Sequence, residues 1–214
     1  MTLLHVTSSI RQDGSVSREV AATFLKHWQD AHPGDTVVHR DLGTDPLPYI
    51  GIDELSLALA GDAERTPSQA SAAALQQEIG DEVLAADAYL IATPLYNWTI
   101  PSRLQSWVDR LLANHGLWNG GQPLAGRPAV VITAKGGTYG PGTPREGWDH
   151  AEPYLRRILA DVFGLETTFV SAELTLAGVN PAMAGLLDQR DDSLRAAHAA
   201  AASHARRIAV QAAA

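Results

Sequence analysis

Residues 3–20, LLHVTSSIRQDGSVSREV, decide the fold class, because an apolar run passes through a serine-rich loop directly into a helical pattern. The run Leu3–Val6 is continuous rather than alternating, which indicates a strand covered on both faces, as in a parallel sheet. From Ser17 to about Ala31, large apolar residues recur every four positions and give a helix one apolar stripe. A strand followed at once by a helix is the first half of a βαβ unit.

The same alternation continues along the chain. Further apolar runs predict strands at 36–40, 89–93, 129–133 and 168–172. Helical patterns lie at about 66–86, from 101 onward, at about 149–163, and from 181 to the end. Because crossovers between parallel strands are right-handed, this order predicts a doubly wound five-stranded parallel α/β sheet with helices on both faces. The polar second run suits an edge strand, which favours the flavodoxin-like order 2-1-3-4-5 in a single domain of residues 1–214.

Composition excludes several functional classes. The chain has 214 residues and a net charge of -8, whereas a nucleic-acid-binding protein needs a cationic surface. It contains no cysteine, so disulfides, thiolate metal sites and cysteine nucleophiles are excluded. The eight histidines show no metal-ligand spacing, and no G-x-S-x-G elbow is present. With no long apolar run and no basic leader, we expect a cytoplasmic protein without a membrane partner.

Three serines cluster where the first loop enters a helix. Ser9, Ser15 and Ser17 place hydroxyl groups beside free backbone N–H groups at a helix N-terminus, which is a geometry that binds a phosphate dianion. Arg11 or Arg18 would add positive charge. The alternative is that Ser17 only caps the helix and the other serines fill the loop. The loop lacks the glycine patterns of dinucleotide and nucleoside-triphosphate sites.

Two more loops follow the third and fourth strands. Residues 94–101, PLYNWTIP, hold two aromatic residues between prolines, and this suits a flat heteroaromatic ligand. Residues 133–140, TAKGGTYG, present paired glycines whose N–H groups form a nest for partial negative charge, beside a lysine. Each loop alone also fits ordinary turn chemistry. Together, at one edge of a sheet, the three loops predict a mononucleotide site, and FMN fits it better than a dinucleotide.

Four sequence motifs occur together over nearly the whole chain. They are Ser8-Ser9-Ile10 followed by Ser15-Val16-Ser17, Arg40-Asp41-Leu42 followed by Pro46-Leu47-Pro48, Pro94-Leu95-Tyr96-Asn97-Trp98, and Ala134-Lys135-Gly136-Gly137. In these motifs the chain resembles the FMN-dependent NADH azoreductases, which are bacterial quinone reductases with a flavodoxin fold. The resemblance implies a homodimer with one FMN per subunit at the interface, NADH as the electron donor, and a quinone or azo compound as the acceptor.

By this resemblance, residues of the three loops hold the flavin. The implied set is Ser9, Arg11, Ser15, Val16 and Ser17 at the phosphate, Pro94, Leu95, Tyr96, Asn97 and Trp98 along the ring, and Ala134, Lys135, Gly136 and Gly137 at the pyrimidine edge, with Tyr139 nearby. The chain departs from the family pattern at four positions, with Trp98 in place of Phe, Ala134 in place of Ser, Lys135 in place of Arg and Tyr139 in place of His. These departures leave the substrate range open. Trp98 would form one wall of the acceptor pocket, and Trp118 would either reach across from the partner subunit or be an ordinary loop aromatic.

The implied reaction is hydride transfer through flavin N5, with no catalytic side chain and no metal. NADH, or alternatively NADPH, and the acceptor would use the same ring face in turn, which gives ping-pong kinetics. Backbone N–H groups of Gly136 and Gly137, with Lys135, would stabilise negative charge at N1 and O2 of the ring. A flavodoxin-type electron carrier, a fold relative without cofactor, and a biosynthetic flavin reductase for a specific aromatic metabolite are the alternatives.

Overall fold

The computed structural model describes residues 1–59, 65–119 and 121–212, and within them five strands form one parallel sheet. The strands are β1 (Thr2–Thr7), β2 (Thr36–Asp41), β3 (Ala88–Pro94), β4 (Pro128–Ala134) and β5 (Glu166–Ala172). Their spatial order is β2-β1-β3-β4-β5, and every neighbouring pair is parallel. Each predicted apolar run lies inside one of these strands, so the predicted fold class and strand order are confirmed.

Helices connect the strands and pack on both faces of the sheet. They are α1 (Val16–Ala31), α2 (Ile52–Leu59), α3 (Pro67–Ala85), α4 (Ser102–Ala113), α5 (Ala151–Arg156) and α6 (Leu187–Ala212), with short 3-10 turns at His115–Leu117 and Pro181–Leu186. Successive side chains of β1 alternate between two cores, since Leu4 packs with residues of α3, α4 and α5, whereas Leu3 packs with α1 and α6. Strand β2 stays partly exposed at the sheet edge, which explains its polar sequence.

Helix α2 is a difference from the sequence prediction, which places no helix between the strand at 36–40 and the helix at about 66–86. The helix is tied to α4 by an ion pair of 3.0 Å between Glu54 and the fully buried Arg110. Arg110 also donates a hydrogen bond of 2.8 Å to the carbonyl of Pro48. Because these contacts join residues far apart in the chain, the local pattern does not reveal them.

The last two helices also differ from their sequence patterns. A helix is predicted over 149–163, but α5 begins at Ala151 and the chain then widens into a π-helix over Arg157–Val162. Gly164, with φ of +73°, follows as predicted and ends the segment. Helix α6 is preceded by a 3-10 turn rather than starting at 181.

The carboxyl ends of β1, β3 and β4 lie side by side. The amide of Ser8 donates to the carbonyl of Ala92 at 3.1 Å, and the amide of Leu95 donates to the carbonyl of Ala134 at 2.8 Å. The loops after these strands therefore leave the sheet at one edge, beside the point where the strand order reverses. This is the edge at which open α/β sheets bind ligands.

Candidate functional site

A buried chain of serine hydroxyls lies at the N-terminus of α1. The Ser15 hydroxyl donates to Ser9 Oγ at 2.9 Å and lies 3.3 Å from Ser17 Oγ. Ser15 is the N-cap residue, yet its side chain makes no capping hydrogen bond to the amides of the first helical turn. Hydroxyl groups and uncapped amides therefore point to one spot, as an anion site at a helix N-terminus requires.

An ion pair fixes this serine loop against β2. Arg18 donates two hydrogen bonds to Asp41, at 2.9 and 2.7 Å, and a third of 2.9 Å to the carbonyl of Ser9. Burial alone would raise the pKa of Asp41, but the hydrogen bonds and charge of Arg18 outweigh it, so the pKa lies below its ordinary value. Gly43 permits the close approach, because a Cβ there would lie 2.1 Å from the Ser9 carbonyl oxygen.

The loop after β3 is a tight turn with two left-handed residues. Tyr96 and Thr99 exchange two backbone hydrogen bonds of 3.0 Å, and between them Asn97 and Trp98 have φ of 48° and 64°. Positive φ at both central positions is the mark of a type I′ turn, which usually contains glycine or asparagine. A tryptophan in this conformation costs on the order of 1 kcal/mol or more, and such strain clusters at functional sites.

The loop after β4 packs against a segment that follows β5. The carbonyl of Lys135 accepts a hydrogen bond of 3.0 Å from the amide of Thr175, and the carbonyl of Gly136 accepts one of 3.3 Å from the amide of Leu176. A Cβ at Gly136 would lie 2.8 Å from Leu176 Cδ1, so only glycine fits without a shift. Residues 175–176 therefore hold the glycine loop in place by backbone hydrogen bonds.

The side chain of Lys135, which belongs to the glycine loop, is almost fully buried. Its ammonium group is 2.7 Å from a carboxylate oxygen of Asp149 and 3.4 Å from one of Glu152. Burial by itself would lower the pKa of Lys135, but these carboxylates outweigh it and raise the pKa above its ordinary value. Lys135 is therefore charged and paired, and it positions the loop rather than offering a free cation to a ligand.

Together these loops surround a cavity of about 660 Å³ at the carboxyl edge of the sheet, within the size range of small-molecule sites. Most of the predicted site residues line it, namely Ser9, Arg11, Ser15, Val16, Ser17, Pro94, Leu95, Tyr96, Asn97, Ala134 and Gly136. Two other clefts lie near the opposite edge of the sheet, around Pro128 and Glu166 at the starts of β4 and β5. None of the three predicted loops lines those clefts.

The cavity also has lining residues that the sequence did not predict. They are Ile10, Gly14, Thr175, Leu176, Gly178, Val179 and Arg190. Most of them come from the segment after β5, which has neither paired glycines nor an aromatic motif. The available signal was its position, because it follows a neighbouring strand at the same sheet edge.

Five predicted residues lie outside the cavity lining: Trp98, Trp118, Lys135, Gly137 and Tyr139. Gly137 and Tyr139 remain in the glycine loop, where the Tyr139 hydroxyl would lie 3.7 Å from a Cβ on Gly137. Trp98 is 40% exposed and follows the lining residue Asn97 directly. Trp118 packs against the core and donates from Nε1 to the Leu112 carbonyl at 3.0 Å, so within one chain it is a structural residue.

No group of three or more His, Cys, Asp or Glu side chains in residues 1–59, 65–119 and 121–212 is arranged to hold a metal ion. No helix in the same ranges combines the length and apolar character needed to cross a membrane.

Known proteins resemble this chain over nearly its full length. A family model described as a flavodoxin-like fold matches residues 1–204. An FMN-dependent NADH:quinone oxidoreductase of Streptomyces avermitilis is 42% identical over 210 residues, covering 97% of this chain and 97% of that protein. A protein of the same name from a Parafrankia species is 40% identical over 206 residues, covering 95% and 98%. The crystal structure of an azoreductase from Bacillus anthracis is 25% identical, with a TM-score of 0.82, and covers 97% of this chain and 99% of that one.

Proposed function

The chain belongs to the flavodoxin-like family that includes these quinone oxidoreductases, and we propose that it is itself an FMN-dependent NADH:quinone oxidoreductase that also reduces aromatic azo compounds. The family membership confirms the resemblance inferred from the four motifs. The observation that carries the proposal is the gathering of three loops, from β1, β3 and β4, around one cavity. That cavity has a hydroxyl-rich anion site at one end and apolar and backbone groups at the other.

The residues present fit FMN. At the serine end, the hydroxyls of Ser9, Ser15 and Ser17 and the uncapped first-turn amides of α1 supply neutral donors for a phosphate dianion. Arg11, which also lines the cavity, adds a cation at this end. Because Arg18 is already paired with Asp41, its role is to hold the serine loop in place.

The opposite end suits a flat ring. Leu95 and Leu176 give apolar walls, and Gly136 lets backbone approach a ligand where a Cβ would collide with its neighbour. FMN bound here would supply two-electron hydride transfer between NADH and the acceptor. The N–H group of Gly136, which lines the cavity, is the donor that we assign to the pyrimidine edge. No side-chain acid or base is required of the chain.

The acceptor follows from this chemistry. A quinone takes up one hydride and one proton to give a hydroquinone, so a single transfer completes its reduction. An azo bond needs two such transfers before it is cleaved to two amines. We therefore propose that quinones are reduced in one cycle and azo compounds in two.

We further propose that the enzyme works as a homodimer in the cytoplasm, where NADH is available. An exposed apolar surface at the start of α2 supports a partner subunit. Tyr49, Ile52 and Leu55 are 73%, 73% and 55% exposed, and apolar groups clustered in this way mark interaction surfaces. Equilibrium sedimentation should give twice the chain mass.

The experiment that tests the function is an anaerobic titration of the FMN-loaded protein. NADH should bleach the flavin absorbance rapidly, and a stoichiometric quinone such as menadione should restore it. Turnover with an azo dye should consume two NADH per dye molecule. A protein that binds no flavin, or whose flavin NADH does not reduce at a catalytic rate, would contradict the proposal and favour a carrier or a binding module.

A further inference from the structure

Two tryptophans and an arginine form an exposed cluster beside the turn after β3. The rings of Trp98 and Trp148 meet edge to face, with centroids 5.2 Å apart and planes at 82°. The guanidinium carbon of Arg145 lies 5.8 Å from the centroid of the Trp148 ring. We propose that this Trp98–Trp148–Arg145 cluster is a binding subsite for aromatic acceptors that carry a sulfonate or carboxylate group. The inference rests on the proposed function, because it assigns a substrate class to that site.

The backbone holds the cluster in place before any ligand arrives. Trp98 occupies the left-handed second position of its turn, and its carbonyl accepts a hydrogen bond of 2.9 Å from the amide of His150. Between Trp148 and His150, Asp149 forms the ion pair with the buried Lys135. The segment that carries Trp148 is therefore tied both to the turn after β3 and to the end of β4. Such preorganisation lowers the entropy lost on binding.

The position of the cluster connects it to the cavity. Asn97 lines the cavity, and Trp98 is the next residue along the turn. Trp98 and Trp148 are 40% and 47% exposed, so both rings are open to solvent, outside the cavity lining and next to the lining residue Asn97. Indole rings provide flat contact area for an aromatic ligand at a small cost in side-chain entropy. In the proposed subsite, an acceptor that extends out of the cavity past Asn97 contacts these rings.

The positive charge of Arg145 indicates that the acceptor carries a negatively charged group. The chain has a net charge of -8, which disfavours anionic ligands in general, so a local cation matters more. Arg145 makes no ion pair within the part of the chain that the structure describes. Its neighbour Glu146 instead accepts a hydrogen bond of 2.8 Å from the amide of Gly142. A guanidinium group that lies over an indole ring can still donate its N–H groups to a planar carboxylate or a tetrahedral sulfonate.

Binding can be measured without turnover, by isothermal titration of the FMN-loaded protein with redox-inert ligands. The matched pair is 2-naphthalenesulfonate and the neutral naphthalene-2-methanol. The wild-type protein should prefer the sulfonate, and Arg145→Gln should reduce that preference roughly fivefold, as for a partly exposed ion pair. Arg157→Gln is the control, because this change removes the same charge from an exposed arginine whose ion pair, among the described residues, is with Asp161 four positions along the chain. Equal preferences in the two variants would overturn the proposal.

Kinetics give a second readout. The ratio of kcat/KM for 1,4-naphthoquinone-2-sulfonate to that for 1,4-naphthoquinone should fall roughly fivefold in Arg145→Gln but not in Arg157→Gln. In the wild-type protein the ratio should also fall with rising salt, because exposed charges are screened. An unchanged ratio in Arg145→Gln would contradict the subsite while leaving the quinone reductase intact. Failure of the proposed function would differ, because the neutral quinone would not be reduced either.

Trp148 tests the aromatic part of the cluster. Trp148→Ala should weaken 2-naphthalenesulfonate binding roughly tenfold, and Trp148→Phe should restore most of it, because stacking needs a ring. Should Trp148→Ala instead split a dimer in sedimentation, with no effect on the naphthalene ligands, the cluster would be a contact between two copies of the chain and the proposal would be wrong.

Discussion

The two ends of the cavity are built in opposite ways. The serine end is buried, its hydroxyls bond to each other, and its one strong ion pair is satisfied within the chain. The aromatic end, which lies outside the cavity lining and next to Asn97, carries two exposed tryptophans, a left-handed backbone and an arginine 5.8 Å from the centroid of one ring. A buried array of fixed donors suits one constant group, whereas exposed rings suit ligands of varied shape. Changes at the serine end should therefore affect the cofactor, and changes at the aromatic end should affect the acceptor.

The largest expected effect concerns His5, in the strand that leads to the serine loop. Burial, and then the nearby His39 and Arg18, lower the pKa of His5 to about 4. In the unfolded chain His5 binds a proton near pH 6.5, whereas in the folded chain it does so only near pH 4. The free energy of unfolding should therefore decrease as the pH falls from about 6.5 toward 4, by roughly 3 kcal/mol in total. Urea unfolding at several pH values should show this slope, and His5→Gln should flatten it.

The comparison supplies a control for that measurement. His150 lies at the aromatic end and its side chain is exposed, so His150→Gln should keep the wild-type dependence of stability on pH. An equal flattening in both variants would mean that the buried serine end has no special sensitivity to acid.

The next effect is the loss of FMN binding in Ser17→Asp. A carboxylate among the serine hydroxyls would repel the phosphate and weaken FMN roughly hundredfold, or about 2.8 kcal/mol, by fluorescence titration. The protein without FMN should also lose some stability, because Ser17 is buried and the helix N-terminus offsets only part of the cost of a carboxylate there. Ser17→Ala should lose only about tenfold. Equal FMN affinity in Ser17→Asp and the wild type would show that the phosphate lies elsewhere.

Substitution of Gly136, which also lines the cavity, should have an intermediate effect on FMN affinity. In Gly136→Ala the new Cβ collides with Leu176, which also lines the cavity, so FMN affinity should fall roughly tenfold, or about 1.4 kcal/mol. Adding Leu176→Ala removes the collision and should restore most of the affinity. A double variant as weak as the single one would refute this steric account.

The smallest effect is expected from Trp98→Gly. Glycine relieves about 1 kcal/mol of backbone strain, which offsets the lost contact with Trp148, so stability should hardly change. The kcat/KM for quinones should nevertheless fall roughly fivefold, with FMN affinity changed far less than in Ser17→Asp. Trp98→Phe should recover the acceptor kinetics. A large loss of FMN affinity in Trp98→Gly would contradict the comparison, because the aromatic end would then also hold the cofactor.

Much of the fold was predictable because its signals are local. Each strand is a short apolar run between polar segments, and the polar second run identified β2 as the edge strand. Helix α2 was missed because its anchor, Glu54 with Arg110, joins residues 56 positions apart. The π-helix after α5 likewise has no local marker in the sequence.

The loops that form the candidate site could be predicted from the sequence, but the contacts between their residues could not. The serine, aromatic and glycine motifs lie in the three loops that surround the cavity, as the strand order requires. The burial of Lys135 could not be foreseen, because its partner Asp149 lies at the far end of the same connection between β4 and α5. Thr175 and Leu176 were missed because they follow a different strand, β5, and meet the glycine loop only on folding, through backbone hydrogen bonds and the Thr175 hydroxyl.

The most direct test of the central claim compares FMN with riboflavin, which differ only in the phosphate. If the serine hydroxyls and the N-terminus of α1 hold that phosphate, one FMN should bind per chain, roughly hundredfold more tightly than riboflavin, and Ser17→Asp should abolish the preference. Equal affinity for the two flavins in the wild-type protein, or no binding of either, would contradict the account.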